Sequence, residues 1–338
     1  MGMRNSARAA LLAVPLALGF AAQPASAWGP RAHAAIDRAA LAALPEDGPV
    51  FLRAQADFVA AMAILPDMWR GASEPFSKIE EDPNHGWFRE QFAGIRPIPR
   101  SRYEFVIALY RERERIKARD PERAQRMNIR WTGTLPYAAM EAYDRLVAGL
   151  RQWRRLHAAG QETRFIEQAL AFDVVRLGHY IGDGAMPLHV SVHHDGWQGD
   201  NPNGYTREAS VHGRFESEYV DRIALTEQDI IPRIGQTGRQ GGDLFDGVLA
   251  YLDQSGLSVE RLYQLDKKGA FTNPADQDAR TMIYDRTTAA ATMLRDMLQR
   301  AWLESGSASK PVANPTETRH PHYNAETGSA PPPMDGAD

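Results

Sequence analysis

The sequence predicts an all-α protein that folds as a single multi-helix domain. Apolar residues recur with the 3.6-residue period of a helix in several long segments, and no segment alternates convincingly with the period of two that marks a strand. The chain also lacks an internal repeat. We therefore expect three parts, which are a targeting segment over residues 1–27, a helical domain over residues 28–304 and a disordered tail over residues 305–338.

Seven segments carry the helical period. The first two are rich in alanine, and the second continues until Pro66. The Gly-, Asn- and Asp-rich stretch "SVHHDGWQGDNPNGYTREAS" predicts a loop, and the polar tail from Ser305 has little apolar surface to bury. In chain order, the helical segments read "RAHAAIDRAALAAL", "FLRAQADFVAAMAIL", "YEFVIALYRERERIKARD", "LPYAAMEAYDRLVAGLRQWRRLHAAG", "TRFIEQALAFDVVRLGHYIGD", "SVHGRFESEYVDRIAL" and "TMIYDRTTAAATMLRDMLQRAWLES".

Residues 1–27 have the features of a secretory signal peptide. Arg4 and Arg8 precede the apolar run "LLAVPLALGFAA", and the small residues "ASA" at positions 25–27 form a cleavage site. The apolar run is shorter than the roughly 20 residues that span a bilayer. We expect export to the periplasm or outside the cell after cleavage before Trp28, and no membrane-spanning helix.

Composition excludes some classes of protein. The chain has 39 basic and 43 acidic residues, so its net charge of −4 argues against a broad basic surface for duplex nucleic acid or an anionic membrane. The sequence contains no cysteine, which excludes thiolate metal ligands and thiol catalysis. Anionic substrates remain compatible, because bound metal ions can supply positive charge.

Two pairs of residues have the spacing of metal ligands on a helix. His179 and Asp183 are four residues apart, as are His212 and Glu216, so each pair shares one helix face. His189 lies between the pairs, just after Pro187, which should end the helix. A single pair of this kind is usually a surface hydrogen bond, but two pairs with a third histidine between them favour metal binding.

Four upstream residues are further candidate ligands. Asp67 follows an apolar helix, and His85 lies in the turn-rich stretch "EDPNHGWF", although a helix cap and an ordinary loop histidine are the alternatives. A new N-terminus at Trp28 would carry an α-amino group with a pKa near 7.7, which a metal can deprotonate at neutral pH. The Trp28 amine and carbonyl could then chelate an ion together with His33.

This ordered set resembles the superfamily of zinc-dependent phospholipases C and single-strand-specific zinc nucleases. Mature members begin with tryptophan and continue with His, Asp, His, His-x3-Asp-x5-His and His-x3-Asp or His-x3-Glu, and the match covers residues 28–216. The resemblance implies a helical fold and three zinc ions. It assigns one zinc to Asp67, His85, His179 and Asp183, a second to Trp28, His33 and Asp183, and a third to His189, His212 and Glu216.

The resemblance also implies a phosphodiesterase. A hydroxide shared by two zinc ions would attack phosphorus, the third zinc would stabilise the leaving oxygen, and Asp67 and Asp183 would be the catalytic carboxylates. We expect a monomer without a stable protein partner, acting on single-stranded nucleic acid or on phospholipid. A zinc-binding protein without catalytic turnover is the alternative from another class.

The choice between substrates rests on two opposing features. The long Gly- and Asn-rich connection over residues 190–211 is similar to the nuclease branch, whereas Glu216 is similar to the phospholipases. We give the connection more weight, because Asp and Glu can exchange with a small backbone adjustment. Candidate aromatic residues for stacking a base, or for lining an acyl cleft, are Trp87, Phe88, Trp197 and Tyr205. The interval from His85 to His179 is longer than in typical members and could restrict the cleft to small phosphoesters.

Overall fold

The computed structural model describes residues 28–71, 73–236, 238, 241–307 and 313–333. The predicted signal peptide over residues 1–27 lies outside these residues. In chain order the α-helices are α1 (Pro30–Ala42), α2 (Ala56–Met62), α3 (Leu65–Trp69), α4 (Pro75–Glu81), α5 (Arg102–Ile116), α6 (Pro121–Gln125), α7 (Ile129–Thr132), α8 (Leu135–Ala158), α9 (Arg164–Ala185), α10 (Ser210–Gly213), α11 (Val220–Arg222), α12 (Glu227–Ile230), α13 (Leu244–Gly256), α14 (Val259–Lys267) and α15 (Gln277–Gly306).

The all-α prediction is confirmed for the described residues. Among them, β-type pairing is limited to one isolated antiparallel bridge between Asn324 and Ser329. No helix within the described ranges is both long enough and apolar enough to cross a lipid bilayer.

The three longest helices, α8, α9 and α15, form the centre of the structure. Helix α9 packs against α8, α15 packs against both, and α1 lies against α9 and α15. Helix α8 starts after Thr134 with Pro136 in its first turn, where the missing N–H of proline leaves no donor unpaired. The last part of α9 is buried on all sides, from Leu177 to Ala185, so its polar residues lie inside the protein.

Helix α9 ends where the sequence predicts. Met186 has the extended backbone that a residue before proline prefers, and Pro187 starts a 3₁₀ turn over Pro187–Val190. This turn redirects the chain, and His189 is buried within it.

Two glycines of α9 permit a close approach of α1. A Cβ on Gly178 would lie 2.2 Å from Oδ1 of Asp37, and a Cβ on Gly182 would lie 2.7 Å from Nδ1 of His33. Both distances are too short for a real carbon atom. The missing side chains therefore allow α1 to place His33 directly against α9.

Helices α10 and α11 are joined by a π-helical turn over Arg214–Tyr219, so residues 210–222 form one continuous helical segment. A π turn inserts one extra residue into a helix, and such turns occur frequently at functional sites. Glu216 lies in this turn and is fully buried.

Residues 305–307 and 313–333 of the tail predicted over residues 305–338 lie among the described residues. Helix α15 continues to Gly306, and residues 313–333 form turns with local hydrogen bonds. The side chain of Asn314 accepts a hydrogen bond from the backbone of Thr316, and the backbone N–H of Ala330 donates to the carbonyl of Pro315. Asparagine-capped turns thus organise this segment without an apolar core.

Candidate metal centre

Six separate segments bring the predicted ligand side chains together. These are α1 (His33), α3 (Asp67), the 3₁₀ turn Asp82–His85 (His85), α9 (His179 and Asp183), the turn Pro187–Val190 (His189) and the segment 210–222 (His212 and Glu216). Their ligand atoms form three groups, each with its atoms within 4.8 Å of one another. The groups are His33, Asp67 and His179; His85, His179 and Asp183; and His189, His212 and Glu216. All eight side chains predicted from the sequence are included.

Asp183 lies at the centre of the cluster, and its two oxygens face different histidines. Oδ1 lies 3.4 Å from Nε2 of His33, whereas Oδ2 lies 3.0 Å from Nδ1 of His85 and 3.5 Å from Nε2 of His179. Asp183 is fully buried. A carboxylate in this arrangement can serve two ions, one through each oxygen.

Asp67 faces the same space from α3. Its Oδ1 lies 3.6 Å from Nδ1 of His85 and 3.8 Å from Nε2 of His179. Both of its carboxylate oxygens are buried without a hydrogen-bond partner, as are both ring nitrogens of His33. Because buried polar atoms without a partner destabilise a protein by about 1–3 kcal/mol each, this set of atoms fits the binding of a cation.

The third group lies at the start of the 210–222 segment. Nε2 of His212 lies 3.1 Å from both Nε2 of His189 and Oε2 of Glu216. Neither oxygen of Glu216 has a hydrogen-bond partner. Two imidazole nitrogens and a carboxylate converging in this way match the nitrogen and oxygen ligands that zinc accepts.

Backbone carbonyls orient three of the histidines. Nδ1 of His179 lies 2.8 Å from the carbonyl oxygen of Ala63, and Nδ1 of His212 lies 2.9 Å from that of His194. Nδ1 of His189 lies 2.5 Å from the carbonyl oxygen of His85. Since a carbonyl only accepts, each Nδ1 donates to it, and Nε2 is left as the nitrogen that can bind a metal. This is the hydrogen bonding that supports histidine ligands in metalloproteins.

Burial and neighbouring charges shift the pKa values of the cluster. Burial alone would lower the pKa of His212, but Glu216 and Asp195 together raise it to about 10. Burial would also lower the pKa of His85, yet its contacts with Asp183 and Glu81 raise it to about 9. For His189, burial dominates and lowers the pKa to about 3.

The pKa values of two carboxylates in the cluster shift in opposite directions. Burial raises the pKa of Glu216 to about 7. Burial would likewise raise the pKa of Asp183, but His179 and His189 hold it well below its ordinary value. Asp183 therefore stays ionised at neutral pH and supplies a fixed negative charge at the centre of the cluster.

Trp28 lies beside the third group. Its indole is fully buried, with its ring centroid 5.5 Å from that of Phe215, and the N–H of Gly29 donates to the carbonyl of Glu216. The start of the described chain is thereby held against the π turn. Chelation by the Trp28 amine and carbonyl remains a prediction.

The cluster borders a cavity of about 370 Å³. His85, His189 and His212 line its floor, and Arg70 and Arg130 supply positive charge. Asp82 also lines the cavity but lies 3.4 Å from Arg70 and 3.3 Å from Arg130. Asp195 lines the cavity as well, so two arginines and two carboxylates surround it. Cations bound by the cluster would add the positive charge that suits an anionic ligand.

Two of the four aromatic residues predicted to contact substrate are buried instead. Trp87 is 1% exposed and packs against Phe92, Phe105 and Tyr137, so its faces cannot stack on a base. Tyr205 is 6% exposed, and its hydroxyl donates to Glu260. The predictions that Trp87 and Tyr205 contact substrate are therefore wrong, because the Trp87 ring stabilises the core and the Tyr205 ring stabilises the loop.

The other two aromatic residues have different positions. Phe88 lines the cavity and stacks on His194 with centroids 4.7 Å apart. Trp197 is half-buried, stacks on His193 with centroids 4.0 Å apart, and does not line the cavity. Trp197 holds the loop together, and only Phe88 of the four is placed to contact a substrate there.

Several further residues at the site were not predicted from the sequence. Oε1 of Glu81 lies 3.3 Å from Nε2 of His85 and accepts a hydrogen bond from the Tyr180 hydroxyl. The four-residue spacing of Glu81 and His85 is the same signal that identified the other pairs, and it could have revealed this contact. Arg130 and Trp131 also line the cavity, but no local pattern distinguishes them from ordinary surface residues.

No family model matches the chain, and the comparisons with curated proteins and with solved structures found no match either.

Proposed function

We propose that this chain is an exported, trinuclear zinc hydrolase of phosphodiester bonds that prefers single-stranded nucleic acid. The observation that carries the proposal is the convergence of eight buried His, Asp and Glu side chains beside a cavity with two arginines. One zinc would be held by Asp67, His85, His179 and Asp183, a second by Trp28, His33 and Asp183, and a third by His189, His212 and Glu216. Zinc at these sites would lower the pKa of water and polarise the phosphate.

The side chains of the chain have distinct roles in this proposal. Asp183 connects two sites, because its two oxygens face different histidines. Asp67 can accept a hydrogen bond from the attacking water, since both of its oxygens lack a partner. Arg70 and Arg130 line the cavity and would attract and orient the phosphate.

A phospholipase C is the second candidate, and exposed apolar residues beside the cluster favour it. Met68 is 63% exposed on α3, and Phe76 and Ile79 are 87% and 65% exposed on α4. Asp67 and Asp82, which neighbour these residues in sequence, reach the cluster and the cavity. Such an apolar surface would suit a lipid aggregate.

A substrate panel with zinc analysis tests the proposal. Purified protein that begins at Trp28 should contain about three zinc ions and cleave single-stranded DNA or RNA faster than duplex DNA, phosphatidylcholine vesicles or nucleoside monophosphates. Release of phosphocholine without cleavage of nucleic acid would favour the phospholipase instead.

One variant of the cluster and one control variant test whether activity in the substrate panel depends on the metal cluster. Asp183→Asn should lose both zinc and activity, whereas His157→Ala should keep both, because His157 is an exposed histidine that stacks on Trp153 outside the cluster. Zinc at full content with no hydrolysis of any phosphoester would support a binding protein and contradict the enzyme.

A further inference from the structure

Helix α7 forms one side of the cavity, although it belongs to the long interval between His85 and His179. Arg130, Trp131 and Gly133 from this segment line the cavity together with Phe88 and His194. The segment therefore contributes directly to the space where a substrate would bind.

Backbone contacts fix this segment to the turn that carries His85. The N–H of Phe88 donates to the carbonyl of Thr132, and the N–H of Leu135 donates to the carbonyl of Gly86. Gly133 has a positive φ of 76°, and a Cβ there would lie 1.8 Å from the carbonyl oxygen of Gly86. Only glycine permits this approach, so the position of α7 relative to His85 is set by the backbone itself.

Trp131 presents an aromatic surface at the cavity. Its side chain is 41% exposed, unlike Trp87, which lies in the core. The guanidinium carbons of Arg126 and Arg130 lie 5.9 and 5.7 Å from its ring centroid. A large, exposed aromatic side chain on a backbone segment held beside such a cavity has the properties of a stacking platform.

The positive charges around Trp131 favour a nucleotide over a choline headgroup as its ligand. A choline headgroup is cationic and would be repelled by Arg126 and Arg130. Asp82 lies 3.3 Å from the guanidinium of Arg130 and also 3.2 Å from Nζ of Lys78. A neutral, flat nucleobase attached to a phosphate fits the combination of an indole face and arginine charges.

We propose that Trp131 is a specificity-determining residue that stacks on the base of a nucleotide whose phosphate is held at the metal cluster. This inference rests on the proposed function, because it takes the phosphate position from the metal cluster. The cavity volume of about 370 Å³ lies at the lower end of the range for small-ligand pockets. The cavity therefore accommodates one nucleotide unit. Stacking on Trp131 would make the protein prefer a phosphate that is attached to a base.

Calorimetric titration of the zinc-loaded protein tests the stacking directly, without relying on turnover. AMP and ribose 5-phosphate share the sugar and the phosphate and differ in the base. The wild-type protein should bind AMP at least about tenfold more tightly, since stacking of one base contributes about that much to affinity. Trp131→Ala should reduce this ratio to near one, and Trp131→Phe should restore part of it.

Controls separate stacking from loss of structure. Tyr110→Ala removes an aromatic side chain that is 57% exposed and does not line the cavity, and it should leave the ratio unchanged. Zinc content and melting temperature should be the same in all variants. An unchanged AMP preference in Trp131→Ala, or no preference in the wild type, would overturn the inference.

Two further results would contradict either the nucleotide-binding role of Trp131 or the hydrolase activity, but not both. Tighter binding of phosphocholine than of AMP, lost in Trp131→Ala, would assign the platform to a lipid headgroup and overturn the nucleotide assignment. A normal AMP preference in a protein that hydrolyses no phosphodiester would support the role of Trp131 while contradicting the proposed hydrolase.

Discussion

At the scale of single residues, Asp183 connects the parts of the cluster. Its oxygens face His33 on one side and His85 and His179 on the other. His189 also approaches, with its Nδ1 3.6 Å from Oδ2. A change at this position therefore affects ligands from several segments at once.

Replacing Asp183 with asparagine should lower activity by at least about 100-fold, since loss even of groups that only orient ligands reduces activity by 10–100-fold. The amide keeps the shape of the side chain but removes its charge, so the bound zinc should fall from three ions by at least one. Metal analysis and initial rates on the same sample check this. Full zinc content with wild-type activity would contradict the role of Asp183.

The raised pKa values of two histidines should make the stability of the metal-free protein depend on pH. The pKa values of His85 and His212 are raised to about 9 and about 10, above the ordinary value near 6.5. Between pH 7 and 10 the folded metal-free protein therefore holds more protons than the unfolded chain. Its stability should fall as the pH rises through this window.

Melting temperatures of chelated protein at pH 7, 8, 9 and 10 check this response, and we expect a progressive decrease. The zinc-loaded protein should show a smaller decrease, because bound zinc displaces the protons from both histidines. A melting temperature of the chelated form that is constant or rises over this range would contradict the prediction.

At the scale of elements, the contact of α1 with α9 positions the first ligand. His33 can approach Asp183 because Gly182, the residue before Asp183, has no side chain. The π turn has the corresponding role in the 210–222 segment, where it carries Glu216 beside His212. These backbone features permit the close contacts that the side chains make.

Replacing Gly182 with alanine should displace His33, because the new Cβ would lie 2.7 Å from its Nδ1. We expect the loss of about one zinc per chain and a decrease in activity of at least about tenfold. Gly256→Ala is the matched control, since the nearest atom to its Cβ lies at 3.9 Å, which is an ordinary contact. Equal zinc content in both variants would exclude this role of Gly182.

At the scale of the whole molecule, the cluster joins segments that are distant in sequence. Its candidate ligands extend from His33 on α1 to Glu216 in the π turn. The carboxylates of Asp67 and Glu216 are buried and have no hydrogen-bond partner. The metal-free form therefore keeps an unfavourable set of buried groups that a cation would satisfy.

Removal of zinc with a chelator should lower the melting temperature by roughly 10 °C or more. A ligand at 1,000 times its dissociation constant stabilises a fold by about 4 kcal/mol per site, and for a domain of this size each kcal/mol corresponds to about 2 °C. Calorimetry before and after chelation, followed by addition of zinc, checks the change and its reversal. A melting temperature that is insensitive to the chelator would contradict a structural contribution of metal.

Local patterns in the sequence were enough to predict the helical class and the two candidate ligand pairs. A 3.6-residue period is a local property, and residues four apart share a helix face whatever surrounds the helix. His179 with Asp183 and His212 with Glu216 could therefore be identified from spacing alone. The end of α9 before Pro187 followed from the backbone restriction that proline imposes.

Which of these side chains meet, and what surrounds them, depends on the packing of segments that are distant in sequence. Trp87 and Trp131 are both tryptophans near His85 in the fold, yet one is buried and the other faces the cavity. Exposure depends on contacts between distant segments, such as the packing of Gly133 on Gly86. No local pattern contains those contacts, because they result from the burial of many side chains at once.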